Sequence, residues 1–198
     1  INGSIIALPA LPAIEFWIAN QFSGTEQRLA AMVQSPSVSA TTMSLPPGKR
    51  LIIPKLLIDE VIHEGTSPTT VHKGVWRLPH TSTPDQASNT VLVGHRFTYK
   101  NPKAVFYHLD VLKTGDQLAV FWDQTRYLYE VIEVKTVPAT AVEVEAPTRD
   151  ARLTLYTCTP LWSAKDRLVI VANLIGEDAE WMRKLSFGYY LPYYLLAS

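Results

Sequence analysis

The chain has 198 residues, 47% of them hydrophobic, which is enough to bury one sizeable core and predicts one globular domain with flanking segments. Its 18 basic and 18 acidic residues give a formal net charge of zero, so no summed positive field favours nucleic acid as a partner. The single Cys excludes a framework of internal disulfides.

Residues 1–33 are predicted to form an apolar and helical N-terminal segment. Residues 1–14 contain no charge, but they are shorter than the about 20 apolar residues of a membrane span and are interrupted by Pro9 and Pro12. We interpret this stretch as the remnant of a membrane anchor, and the alternative is an apolar segment that packs on the domain. Helical spacing follows, first at Ile14, Trp17, Ile18 and Phe22, then after a Ser-Gly break at Leu29, Met32 and Val33.

Residues 34–49 are rich in Ser, Thr and Pro and lack apolar periodicity, which predicts a linker. A main domain then spans residues 50–176. Its short runs of Val, Ile, Leu and aromatic residues are bounded by Gly, Pro, Asp or Asn, which is typical of strands and turns. We predict strands near residues 50–54, 57–63, 90–95, 117–122, 126–136, 152–158 and 168–175.

The connections between these strands are mostly short. Asp123, Gln124 and Thr125 separate two strands as in a hairpin, and short helices are predicted at 70–73 and 102–108. Seven or eight short strands without long helices favour a mainly β fold, a mixed or antiparallel barrel, over a doubly wound sheet.

Residues 177–198 form the last predicted segment. EDAEWMRKL, which follows Gly176, has acidic residues first and basic residues last, as a helix dipole prefers, so a terminal helix is predicted there. The tail FGYYLPYYLLAS is either a strip that packs on the domain or an aromatic-rich segment at a membrane interface.

Cys158 ends a strand-like run in TLYTCTP. A lone Cys is more often a small buried hydrophobe than a nucleophile. An ordinary thiol has a pKa near about 8.5 and is little ionised at neutral pH, so catalysis requires a nearby base or cation. The rest of the sequence must therefore supply partners for Cys158.

Two side chains are candidate partners of this thiol. His95 follows a strand-like run and a Gly, at a predicted sheet edge. Arg167 begins the strand after that of Cys158, and antiparallel pairing would place both side chains at the same end of a sheet. There Arg167 could stabilise an oxyanion, and the alternative is a salt bridge to Asp166 or another acid of the loop.

The other four histidines are interpreted as structural, namely His63, His72, His80 and His108. The histidines show no spacing of the HExxH kind, so the sequence predicts no metal site.

Six stretches of the sequence resemble those of the sortases, which are cysteine transpeptidases of bacterial cell surfaces. In chain order they are IPKLLIDEVIHEG, GVWRLPHTSTPD, GHRFTY, FYHLDVLKTGD, TLYTCTP and KDRLVIVANLI. The resemblance covers about residues 50–176. The resemblance depends on a specific combination of three features. They are the T-L-x-T-C motif, a His 63 residues before its Cys (158 − 95) and an Arg nine residues after it (167 − 158). The resemblance implies an eight-stranded β-barrel in which Cys158 is the nucleophile, His95 the acid and base, and Arg167 the oxyanion partner.

The resemblance also implies a reaction and partners. A sortase cleaves an LPxTG-like sorting motif of a surface protein between Thr and Gly, through a thioacyl intermediate and without a cofactor. It then joins the Thr carboxyl to an amine of a cell-wall precursor or a pilin, on the extracytoplasmic face of the membrane to which an N-terminal anchor holds it.

Within the family, GHR-x-T-Y resembles class E, with class D as the alternative, and class E associates the Tyr with Ala in place of Pro in the motif. LPxTG and LAxTG therefore both stay open. We predict that three residues contact the substrate, namely Tyr99, Thr157 and Trp162. The alternative interpretation of Trp162 is a role in packing.

Other classes of protein fit the sequence less well. Papain-like proteases place Cys before His, the reverse of the order here. An L,D-transpeptidase would show a Ser-His-Gly-Cys cluster, whereas Leu-Tyr-Thr precedes Cys158. A non-catalytic peptide-binding barrel would not need a thiol, a His and an Arg together.

Overall fold

The computed structural model describes residues 24–34, 48–98 and 104–179. One α-helix, α1 (Gly24–Gln34), precedes eight strands in these ranges. The strands are β1 (Arg50–Ile53), β2 (Ile58–His63), β3 (Val75–Arg77), β4 (Asn89–Val93), β5 (Gln117–Trp122), β6 (Thr125–Pro138), β7 (Arg152–Thr159) and β8 (Asp166–Ala179). Short 3₁₀ helices lie at Pro54–Leu56, Pro68–Lys73, Leu109–Val111 and Val142–Glu145.

The eight strands close into a barrel in the order β1-β2-β3-β4-β7-β8-β6-β5, with β5 paired back to β1. The pairs β2–β3 and β4–β7 are parallel, and the other pairs are antiparallel. Closure gives each strand a neighbour on both sides, so the sheet has no terminal edge strand, which is how all-β folds limit edge-to-edge association. The prediction of a mainly β, eight-stranded barrel is therefore confirmed, and of the two alternatives for its pairing, mixed or antiparallel, the structure has the mixed one.

Alternate residues of the strands fill the barrel with a continuous apolar core. On β7, Leu153 and Leu155 are completely buried, and they pack with buried residues of the other strands, such as Tyr129 and Ile170. Burying a side chain of this size stabilises the fold by about 1.5–3 kcal/mol. The alternation also means that intervening positions of β7 face away from the core.

Helix α1 covers part of the outer surface of the barrel. Its residues Leu29 and Val33 are buried against Ile52 of β1 and Phe121 of β5. Their spacing of four residues places both on one helix face, as the sequence predicts for this stretch. The rest of the predicted N-terminal segment, from residue 1 to residue 23, lies outside the described residues, as does the linker between residues 35 and 47.

The hairpin between β5 and β6 is confirmed with a shorter loop than the sequence suggests. Its two loop residues, Asp123 and Gln124, have φ angles of 46° and 66°, while Thr125 already belongs to β6. Positive φ at both positions is the requirement of a type I′ turn, whose twist matches that of the flanking strands.

Two element predictions need correction, and one strand was not predicted. The helix expected at 102–108 is absent where the structure describes it, because residues 105–108 form turns that lead into the 3₁₀ helix Leu109–Val111. The helix expected directly after Gly176 is also wrong at its start, since β8 continues to Ala179 by pairing with the first residues of β6. Strand β3 was not predicted, and its three residues are too few to show alternation. Residues 180–198, including the aromatic tail, lie outside the described residues.

Candidate active site

The parallel pairing of β4 and β7 brings His95 level with Cys158. The last pair of this ladder is Val93 with Tyr156, a separation of 63 residues (156 − 93). Continuing the same register by two residues reaches His95 and Cys158, which have the same separation (158 − 95). The 63-residue separation of His95 and Cys158 therefore equals the register of the β4–β7 pair.

Arg167 lies opposite Cys158 across the antiparallel pair β7–β8. Directly opposed residues of such a pair have Cβ atoms about 4.5–5.5 Å apart and point to the same face of the sheet. The sequence-based expectation that the thiol and the guanidinium share one end of a sheet is thus met by the strand pairing.

The thiol of Cys158 does not belong to the core. Its neighbours on β7, Leu155 and Thr157, are buried, whereas Cys158 is partly exposed. A small buried hydrophobe would occupy one of the inward positions instead. The exposure of Cys158 therefore favours a chemical role over the packing alternative.

The guanidinium of Arg167 is bonded to main-chain carbonyls at the end of the β7–β8 loop and the start of β8. Its Nη1 donates to the carbonyl oxygens of Ala164, at 3.1 Å, and Asp166, at 3.0 Å. Within the described part of the chain it forms no ion pair with a carboxylate, so the salt-bridge alternative for Arg167 is not what the structure shows. An unneutralised cation beside Cys158 is suited to a developing negative charge.

Gly94 allows the chain to bring His95 to this edge. A Cβ at Gly94 would lie 2.7 Å from the ring of Phe106 and 2.7 Å from the side chain of Val105, closer than atoms can pack. The carbonyl of His95 accepts a hydrogen bond of 3.0 Å from the amide of Phe106. The Gly before His95 is therefore required by close packing against the segment that follows residue 104.

His72 contacts His95, which the sequence analysis did not anticipate. His72 lies in the last turn of the 3₁₀ helix Pro68–Lys73, and its Nδ1 lies 3.0 Å from Nε2 of His95. Partial burial lowers the pKa of His95, and repulsion from His72 lowers it further. No local pattern reveals this contact, because it joins residues 23 positions apart through the fold of the barrel.

The predicted substrate contacts have different surroundings. Thr157 is 1% exposed, and its hydroxyl donates a 2.8 Å hydrogen bond to the carbonyl of Gly94, so in this structure it links β7 to the residue before His95. Trp162 is 56% exposed and its ring contacts Phe97, with 3.5 Å between centroids. This aromatic pair joins the loops that follow β4 and β7. Tyr99 lies outside the described residues, and substrate contact by all three stays a prediction.

A second network joins the β6–β7 loop to the same face of β7. Glu145 accepts hydrogen bonds of 2.7 Å from the hydroxyl of Tyr156, and lies 2.7 Å from Nε2 of His80. Burial raises the pKa of Tyr156, and the bond to Glu145 raises it further, so the phenol stays a proton donor. The 3₁₀ helix Val142–Glu145 is thereby held beside the strand that bears Cys158.

No group of three side chains suited to a metal ion occurs within residues 24–34, 48–98 and 104–179. In the same ranges, no helix is both long enough and apolar enough to cross a membrane.

Comparison with known proteins gives a consistent family. A family model described as the sortase domain matches residues 51–175. Sortase A of Listeria monocytogenes is 28% identical over 142 residues, which cover 72% of this chain and 62% of that protein. Sortase D of Bacillus subtilis is 32% identical over 111 residues, which cover 56% of this chain and 53% of that protein. The chain thus spans between about half and two thirds of the length of these curated relatives.

A solved structure shares the fold. The crystal structure of sortase E1 from Streptomyces coelicolor, determined with a tripeptide in the active site, aligns with a TM-score of 0.60 and 25% identity. The alignment covers 68% of this chain and 91% of that one. These three relatives are sortases of classes A, D and E, so they do not select a subclass.

Proposed function

This chain belongs to the sortase family, and we propose that it is a cysteine transpeptidase that cleaves a sorting motif between Thr and Gly and transfers the Thr carboxyl to an amine. The observation that supports this most is the placement of Cys158 level with His95 and opposite Arg167. The L,D-transpeptidase alternative is not retained, because the sortase family model matches residues 51–175, which are nearly the whole barrel.

The first chemical step is attack of the Cys158 thiolate on the Thr carbonyl carbon of the motif. A carbon–sulfur bond forms, and the carbonyl π electrons move to oxygen to give a tetrahedral oxyanion. Arg167 offers N–H donors opposite Cys158, and backbone N–H groups of the loops complete the stabilisation. Because the guanidinium is held before substrate arrives, little reorganisation is needed when the charge develops.

His95 transfers the protons of the reaction. As imidazolium it protonates the nitrogen of the departing Gly, the carbon–nitrogen bond breaks, and a thioester of Cys158 remains. As neutral imidazole it then takes a proton from the incoming amine, which attacks the thioester and releases the thiolate. Each proton that His95 gives is thus recovered before the next cycle.

The lowered pKa of His95 has a consequence for this cycle. Its imidazolium forms only at a more acidic pH than that of an ordinary histidine, so the neutral base is favoured at neutral pH. A low proton affinity also makes the imidazolium a stronger acid toward the leaving amine. Burial and His72 therefore adjust both roles of the same ring.

The substrate class proposed is a surface protein with an LPxTG-like or LAxTG-like C-terminal motif. The acceptor is an amine of a cell-wall precursor or of a pilin, and the enzyme acts at the extracytoplasmic face of the membrane through an N-terminal anchor. These assignments rest on membership of the family rather than on contacts within the barrel.

Mass spectrometry of a reaction with fluorescent LPxTG and LAxTG peptides and triglycine tests the proposal. We expect cleavage after Thr and a product in which triglycine is attached to the Thr carboxyl. Cleavage without transfer to any amine would identify a peptidase, and absence of cleavage of both peptides would refute the proposed motif class.

Replacing His72 with Gln should raise the pKa of His95, because it removes the charge that repels a second proton on that ring. In the pH profile of kcat/KM, the part of the curve that depends on the ionisation of His95 should then shift to higher pH. Lys73→Gln is a matched control, since Lys73 is the exposed neighbour in the same 3₁₀ helix and is not among the groups that lower the pKa of His95. The absence of this shift in His72→Gln would contradict the prediction.

A further inference from the structure

Arg96, the residue after His95, is buried although it lies at the edge of the barrel. Only 8% of its surface is exposed. Burial of a guanidinium is costly unless its donors find partners, so a buried Arg marks a place where its bonds matter. The mechanism proposed above does not use this side chain.

The donors of Arg96 reach two separate segments. Nη1 donates to the hydroxyl of Thr159 at 2.7 Å, at the end of β7. Nη2 donates to the carboxylate of Asp110 at 2.7 Å, and Nε donates to the carbonyl of Tyr107 at 3.4 Å, both in the segment after residue 104. The rigid fork of the guanidinium therefore connects β7 to that segment through the residue next to His95.

These bonds complete a frame around the candidate pair. Arg96 and Thr159 are 63 residues apart, and so are Gly94 and Thr157, which are joined by the 2.8 Å bond to the Gly94 carbonyl. His95 and Cys158 have the same separation and lie between the two links. One cross-link thus precedes the pair and one follows it.

His95 needs such a frame because the strand ladder ends before it. The last β4–β7 pair is Val93 with Tyr156, two residues short of His95. Beyond that pair, the Arg96–Thr159 hydrogen bond links the chain after His95 to the chain after Cys158, and the Phe97–Trp162 ring contact joins the same two segments farther along. A displacement of about 1 Å in a catalytic geometry can reduce the rate by about 10²-fold.

We propose that Arg96 is a positioning residue, which holds His95 opposite Cys158 through its hydrogen bond to Thr159 and is itself anchored by Asp110. The inference rests on the proposed function, because it assigns Arg96 to the same reaction. Arg96 touches neither the substrate nor the reacting atoms, and it acts through the two strand ends that bear them.

The test replaces Thr159, since removing a buried Arg would risk unfolding. Thr159→Val keeps the shape and deletes the hydroxyl, and we expect kcat for the peptide to fall about tenfold with KM within about twofold. Thr159→Ser keeps a hydroxyl acceptor and should retain at least about half of the wild-type kcat. This rescue separates loss of the Arg96 bond from a general effect of substitution.

Thr154→Val is the matched control. Thr154 lies on the same strand and its hydroxyl donates a 2.8 Å bond to Asn89, but it is near the other end of β7. We expect Thr154→Val to lower the melting temperature without changing kcat. A wild-type kcat in Thr159→Val, or an equal loss in Thr159→Ser or Thr154→Val, would overturn the proposal.

Alkylation of Cys158 by iodoacetamide at neutral pH separates this inference from the proposed function, because it needs no peptide. The thiol sulfur forms a thioether, iodide leaves, and His95 takes the thiol proton. We expect several-fold slower alkylation in Thr159→Val than in wild type and Thr159→Ser. If the wild type cleaves no peptide, the proposed function fails, and these alkylation rates alone support or refute the role of Arg96.

Discussion

Cys158→Ala is expected to abolish both cleavage of the sorting peptide and transfer to an amine, with kcat lowered by at least about 10⁴-fold. Without the sulfur no thioester forms, and neither His95 nor Arg167 provides another nucleophile. Because Cys158 is only partly buried and lies outside the core cluster, its loss should change the free energy of unfolding by less than about 1 kcal/mol.

Mass spectrometry of the intact protein provides a direct measurement. Wild type incubated with peptide and little amine should gain the mass of the acyl fragment at Cys158, and the Ala variant should gain none. Cys158→Ser is the informative second variant, since a hydroxyl of similar size ionises far less than a thiol. Persistent turnover by the Ala variant would exclude Cys158 as nucleophile.

The candidate site could be located from the sequence because the barrel register is encoded in residue spacing. Cys158 and Arg167 end and begin consecutive strands, so their placement needs only a short antiparallel turn. The position of His95 requires a parallel pair between strands 63 residues apart, which pattern alone does not give. The resemblance to a family supplied that long-range pairing.

The errors in the predicted elements share a physical cause. The charge pattern after Gly176 suits a helix, yet residues 177–179 extend β8, because the long partner strand β6 offers hydrogen bonds that a local preference cannot match. The turns at 105–108 are likewise determined by packing, since Phe106 is fully buried against the site. Local signals describe segments well only where tertiary contacts agree with them.

His72 and Arg96 were not identified from the sequence for a similar reason. Each contacts a residue distant in sequence, His95 in the case of His72 and Thr159 in the case of Arg96. Neither contact produces a local pattern, and the 63-residue spacing of Arg96 and Thr159 follows from the β4–β7 register, which the sequence does not show by itself. Residues with a role in the proposed reaction are therefore easier to predict from the sequence than residues that hold them in place.

The structure suggests that the site is built in layers from the barrel outward. Paired strands set Cys158 opposite Arg167, and close packing at Gly94 sets the direction in which the chain leaves β4. Side-chain bonds then fix the residues beyond the ladder. The proposed nucleophile and oxyanion partner thus lie on paired strands, which hold their geometry more precisely than loops do.

Arg167→Ala should lower kcat by about 10²–10³-fold, the typical effect of losing one donor to an oxyanion, with little change in KM. The reason is that Arg167 pairs with Cys158 across β7–β8, with its guanidinium bonded to the carbonyls of Ala164 and Asp166, and in the proposed mechanism it faces the developing negative charge. Arg167→Lys should recover only part of the rate, because one ammonium group cannot both bond the carbonyls and reach the oxyanion with the geometry of a planar fork.

Single-turnover acylation at saturating peptide measures this step apart from transfer. Lys165→Ala is the control, since it removes an exposed positive charge from the same loop and should leave the acylation rate within about twofold. A loss in Arg167→Ala confined to KM would show that Arg167 binds the peptide in its ground state. A loss confined to kcat would place its contribution in the transition state, where the position opposite Cys158 puts it.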